Sequence, residues 1–128
     1  MSRVEQDIGE LRRRFGSRFN ERTLPSGARL IEIREYNLVA GWDQRVVTIL
    51  FLAPPAFPAA QPDCFWVEPG PVRFNAGHTP QNTNDSNPIP EVGQRGTWFS
   101  WHMQSWNPNL HTLWSFFKAI EQRLNPPR

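Results

Sequence analysis

The sequence predicts an α+β fold: an antiparallel β-meander flanked by an N-terminal and a C-terminal helix, with a long Pro-rich loop before the second helix. Three observations point to it. Apolar residues repeat at helical spacing near both ends, at Val4, Ile8, Leu11 and Phe15 and again at Leu110, Leu113, Phe117, Ile120 and Leu124. Three short apolar or β-branched runs lie between them. Nine of the 13 Pro fall between Pro54 and Pro90, and their missing backbone donors keep that stretch out of helices and sheet interiors.

The elements follow in order. Residues 4–15 form an amphipathic helix, with Asp7, Glu10 and Arg12 to Arg14 off the apolar stripe and Ser2 as its cap candidate. Pro25-Ser26-Gly27 is a turn signal. Arg29–Tyr36 is partly alternating and suits a strand. Gly41-Trp42-Asp43 reads as a hairpin turn, and Arg45–Leu52 as a central strand. Cys64–Val67 is a third short strand inside the Pro-rich stretch, and Gly70–Gly96 a long loop of the kind that carries function. Trp106-Asn107-Pro108 reads as a helix cap followed by Pro at the first helical position, which predicts a last helix over 109–123. Asn125-Pro126-Pro127 stops it.

The 128 residues suit one domain, 1–128. Six Trp and nine Phe supply a core. The 13 Arg and one Lys outnumber 12 acidic residues by only two, too little for the field of a non-specific nucleic-acid binder. One Cys excludes a disulfide framework and a Cys₄ zinc site, and no His stands at zinc-ligand spacing from another His or the Cys. No metal or cofactor is expected. No apolar run is long enough for a membrane span, and the N-terminus MSRVEQDIGELRRR has no signal-peptide apolar region. A soluble, cytoplasmic protein without nucleic-acid or membrane partners is the expectation.

Few residues carry chemistry. Cys64 reads either as a nucleophile or as a small apolar side chain on a strand. His102 follows Ser100 by two residues in the cluster Thr97-Trp98-Phe99-Ser100-Trp101-His102, which is either a base-activated nucleophile or a hydrogen-bonded structural pair. Arg12-Arg13-Arg14 is either a partner-binding patch or a solvated face. No phosphate loop, paired-carboxylate motif or EF-hand is present.

Three features in order resemble the ubiquitin-conjugating (UBC) superfamily. Val46–Leu52 followed by Pro54-Pro55-Ala56-Phe57-Pro58 and Gln61-Pro62-Asp63-Cys64-Phe65-Trp66-Val67 is similar to its central strand, Tyr-Pro turn, Pro-Pro pair and third strand. Trp106-Asn107-Pro108-Asn109-Leu110-His111-Thr112-Leu113 is similar to the Trp-Ser-Pro-x-Leu-Thr-Ile approach to its second helix. The third feature is the arrangement of helix, meander, active-site-type loop and helix. Within the superfamily, the pattern Pro62, Asp63, Phe65, Trp66, Val67, Pro69, then Phe99, Ser100, His102, Trp106 and Pro108 resembles a divergent bacterial branch found in ubiquitin-like conjugation operons.

The chain departs from the family where the acyl-accepting Cys belongs. That Cys lies eight residues before the helix-approach Trp, a position held here by Trp98, while counting from Gly96 points to Phe99. The family's His-Pro-Asn is missing too; His78-Thr79-Pro80-Gln81-Asn82 is a loose echo upstream. Thioester chemistry at the usual place is therefore excluded. Three readings survive: a Ser or Thr nucleophile in the loop, a relocated thiolate at Cys64, or an inactive UBC-like binding module.

The resemblance implies a transferase that receives the C-terminal glycine of a ubiquitin-like protein from an activating (adenylating) enzyme. In that reading Ser100 forms an acyl-oxyester with His102 as base, and Thr97 is the second candidate. The resemblance also implies that Arg12, Arg13 and Arg14 dock on the activating enzyme.

Overall fold

The computed structural model describes all 128 residues. Helix α1 (Arg3–Phe15) starts where the Ser2 hydroxyl accepts the Glu5 N–H at 3.2 Å, the cap expected from the sequence. It buries Ile8 and Leu11 and half-buries Val4 and Phe15. A 3₁₀ turn (Gly16–Arg18) leads to β1 (Phe19–Thr23). Then follow β2 (Arg29–Asn37), β3 (Val46–Ala53), β4 (Phe65–Glu68), β5 (Thr83–Asn84), β6 (Thr97–Phe99) and α2 (Leu113–Leu124). The six strands make one antiparallel sheet in the order β1-β2-β3-β4-β6-β5.

Alternation along the strands divides the core in two. Ile31, Ile33, Ile49, Phe51, Phe65, Val67 and Phe99 face one way, and Ile8 and Leu11 of α1 and Phe116, Phe117, Ile120 and Leu124 of α2 join the same cluster. Leu30, Leu50 and Trp66 face the other way, packed with Leu24, Ala28 and Ile89 from loops. Each such side chain contributes ~1.5–3 kcal/mol on full burial, so the two-helix face dominates the stability of the fold.

The architecture is α+β, with the central strand (β3) beside the Trp66 strand (β4) as expected, paired Leu50↔Trp66 and Phe51↔Phe65. Several local expectations are corrected. Three strands become six: β1 pairs with β2, and the aromatic cluster at 97–99 is itself a strand between β4 and β5. The expected loop at Gly70–Gly96 is interrupted by β5 and by the bridges Trp42↔Phe74 and Ile89↔Gly93. Gly41-Trp42-Asp43 is no simple hairpin turn. Trp42 is buried, and its indole N–H donates to the Leu124 carbonyl at 2.9 Å.

The last helix starts later than 109. Asn107 Oδ1 accepts the Asn109 N–H at 2.9 Å, which closes a local turn around Pro108. The cap is Thr112, in a capping box with Ser115. Leu110 is therefore outside the apolar stripe and 72% exposed. Asp7 ties this segment to α1: its carboxylate accepts the Leu113 N–H and pairs with Arg3, both at 3.2 Å, and Arg3 also donates to the Pro108 carbonyl at 2.8 Å. Burial raises the Asp7 pKa, with these bonds acting against it. The clasp fixes where the 100–112 loop rejoins the helices.

Candidate active site

The loop between β6 and α2 is anchored at four points. The Ser100 N–H donates to the Asn82 carbonyl at 2.9 Å. The Gln61 side chain bonds both the N–H and the carbonyl of Met103, at 2.9 and 2.8 Å. The Trp106 indole donates to the Pro58 carbonyl at 2.7 Å, and the Trp101 indole to that of Ala119 at 3.2 Å. Aromatic side chains thus hold a segment that has no regular structure of its own.

The two hydroxyls singled out from the sequence have opposite environments. Thr97 is fully buried. Its hydroxyl donates to Asp85 Oδ1 at 2.7 Å and accepts the Val72 N–H at 3.0 Å. Asp85 is held below its usual pKa, first by the hydrogen bond from Arg73 and also by that from Thr97. Thr97 is thus a fastener between β6 and the loops at 72 and 85, with no face open to an acyl donor. Ser100 is exposed, and its hydroxyl makes no protein hydrogen bond.

His102 is exposed as well, and no hydrogen bond joins it to Ser100. Two residues apart on a strand would put both on one face, but β6 ends at Phe99. His102 instead lines a groove of about 330 Å³ between the loop and α2, with Trp101, Met103, Ser115, Lys118 and Gln122.

Cys64 lies one residue before β4, not on the strand, and is half-buried. Phe65 pairs with Phe99, so Cys64 and Ser100 stand at adjoining ends of β4 and β6. The thiol lines a largely apolar cavity of about 340 Å³ with Leu52, Pro54, Pro55 and Trp66. Burial pushes its pKa up to about 11, against a hydrogen bond from Trp98. A thiol held protonated at neutral pH is a poor nucleophile.

Arg12, Arg13 and Arg14 are exposed on α1. Two of them have local company: Arg12 lies over the Phe19 ring at 5.2 Å, and Arg14 over Trp114 at 4.0 Å while pairing with Glu10 at 3.1 Å.

Sequence reasoning missed Arg123. It is buried under the loop, 5.0 Å from the Phe99 ring centre and 6.0 Å from that of Trp101. Nη2 donates to the Gln81 carbonyl at 2.6 Å, while Nη1 has no partner. Burial, and secondly the Arg128 charge, lower its pKa to about 10, so it stays cationic at neutral pH. The available signal was its position: three residues after Ile120, on the apolar stripe of α2. No group of three His, Cys, Asp or Glu comes together to hold a metal ion, and no helix is long and apolar enough to cross a membrane.

The candidate site thus sits on an antiparallel sheet carried by an N-terminal and a C-terminal helix, with an aromatic-anchored loop ahead of the second helix. The family described as Prokaryotic E2 family E matches residues 5–126, and the chain belongs to this E2-like family. Neither a curated protein nor a solved structure matches the chain.

Proposed function

We propose that the chain acts as one E2-like domain in a cytoplasmic ubiquitin-like conjugation pathway, accepting the C-terminal glycine of a ubiquitin-like protein on Ser100. One observation carries this reading. Of the three candidate nucleophiles, Thr97 is enclosed and engaged and the Cys64 thiol is held protonated, whereas Ser100 presents a free hydroxyl to solvent. Ser100 Oγ attacks the activated glycyl carbon, the bond to the activating enzyme's leaving group breaks, and His102 takes the hydroxyl proton. Catalytic hydrogen bonds are often open before the donor binds, so the unpaired Ser100 and His102 fit a resting state.

The test is a gel after mixing the chain with its activating enzyme, its ubiquitin-like protein and ATP. The expected adduct survives thiol, is cleaved by hydroxylamine and is absent in Ser100→Ala. His102→Ala should slow its formation by ~10²–10⁴-fold. A thiol-labile adduct would move the acceptor to Cys64. No adduct at all would favour the second reading, a non-covalent module that presents the ubiquitin-like protein, to which the missing Ser100–His102 bond already lends support.

Docking on the activating enzyme falls, in this reading, to the exposed Arg12, Arg13 and Arg14. Planar guanidinium forks suit a carboxylate-rich patch, and such charges raise association rates more than affinity. Replacing all three with Glu should slow transfer at low salt and leave folding intact, while wild-type transfer slows as salt rises. Equal binding of the triple variant and wild type at low salt would remove this surface from consideration.

A further inference from the structure

On the sheet face away from the helices, the turn before β2, the end of β3 and the approach to β4 enclose the cavity of about 340 Å³ that the Cys64 thiol lines. Its size falls in the range of small-molecule sites, and it shares no residue with the groove beside His102. Ala28, Leu52, Pro55, Trp66 and Pro90 make its apolar wall. Hydrogen bonds hold that wall in place. The Glu91 carboxylate accepts the Ser26 N–H at 2.9 Å and the Ser26 hydroxyl at 2.5 Å, which fastens the loop at 91 over the turn. Glu91 keeps this position with a left-handed backbone, φ 65°, uncommon outside glycine. The Trp66 indole donates to the Asn87 carbonyl at 2.8 Å, and the Gln61 amide bonds Met103 through both its nitrogen and its oxygen.

Asp63 is the one carboxylate on this cavity without a partner: it is exposed and makes neither a hydrogen bond nor an ion pair. With Glu91 it puts two carboxylates at an apolar cavity that no Arg, Lys or His lines, in a chain with 13 Arg and a net charge of +2. After burial, and against the Trp98 hydrogen bond, the Asp63 charge adds to the upward push on the Cys64 pKa, the direction a negative field gives a thiol. An apolar wall accepts an uncharged body, and a free carboxylate accepts donors from a cation. We propose that this cavity binds a small organic cation, an ammonium group on an aromatic or aliphatic body, with the body against Leu52 and Trp66 and the ammonium donating to Asp63. An anion of the same shape meets like charge from both carboxylates, and a neutral analogue leaves Asp63 to water.

The test titrates the full chain with phenethylammonium and hexylammonium, each beside its neutral alcohol, and with phenylpropionate as an anion, followed by calorimetry and by amide NMR shifts. At least one cation should saturate a single site and shift the amides of 26–28, 63–66 and 91 together with the Trp66 indole N–H. That cation should bind roughly tenfold more tightly than its alcohol and lose affinity as salt rises, while phenylpropionate should not compete with it. Asp63 is exposed, so Asp63→Asn should keep the melting temperature and remove most of the advantage over the alcohol. Glu35→Gln, which removes an exposed carboxylate elsewhere on the sheet, should leave that advantage intact. The proposal is overturned if neither cation saturates the cavity, if the alcohols bind as tightly as the cations, if the shifts gather away from the cavity, or if Asp63→Asn and Glu35→Gln behave alike.

Discussion

Replacing Phe99 with Ala will remove about 3–5 kcal/mol of stability, the range for truncating a large aromatic in a packed core. Phe99 is fully buried and stacks on Phe65 with ring centres 4.8 Å apart and planes 12° from parallel. It also meets Trp42 edge-on at 6.2 Å and lies under the Arg123 guanidinium. The truncation therefore leaves a cavity between β4, β6 and α2. It also takes away the closer of the two rings that accompany a buried cation whose Nη1 already lacks a partner. Small domains have about 5–15 kcal/mol in total, so the variant should sit near its unfolding threshold at 37 °C. Urea denaturation checks it. A loss under about 1 kcal/mol would mean that α2 is held to the sheet elsewhere.

Gly96→Ala should cost about 2–4 kcal/mol, from a left-handed backbone and an overpacked contact together. Gly96 has φ of 70°, and a Cβ there would stand 2.2 Å from the Val67 carbonyl oxygen and 2.7 Å from its carbon. These are backbone atoms of β4, which cannot swing aside as a side-chain tip can. The glycine lets β6 come up against β4 one residue later, at the Val67↔Thr97 pair. Pushing it away also misaligns the Thr97 bonds to Asp85 and Val72. Denaturation gives the global loss, and hydrogen exchange should show the amides of 97–99 opening first. Stability within about 0.5 kcal/mol of wild type would show that the loop before β6 shifts freely.

What could be read ahead of the structure depended on whether the cause was local. α1 was legible because Val4, Ile8, Leu11 and Phe15 repeat at its own period and Ser2 caps it. The start of α2 was misplaced because two local signals compete. Pro108 suits a first helical turn, but the Asn107 turn consumes that segment, and the Thr112–Ser115 box lies further on. β1 carries Asn20, Glu21 and Arg22 with no apolar alternation, and its strand form comes from pairing with β2. The residue types of the site were visible in the sequence, but their faces were not. Three positions separate a buried Thr97 from an exposed Ser100, and the end of β6 between them follows from pairing with β4 and β5. The partnerless Nη1 of Arg123 and the shared groove of Lys118 and His102 depend on which loop lies over α2, and no short window of sequence contains that.

The two outer strands of the sheet also set how other chains can approach. An extended, unpaired strand edge invites foreign backbone to add to it, and natural sheets discourage this with short or charged edges. Here one edge is β5, a two-residue ledge at Thr83–Asn84, and the other is β1, whose five residues include Glu21 and Arg22. Neither offers a long apolar rail for backbone-to-backbone annealing. The protein is thereby guarded against aggregating through its sheet, and recognition of other proteins is left to its helices and loops, where side-chain chemistry rather than strand addition decides what binds.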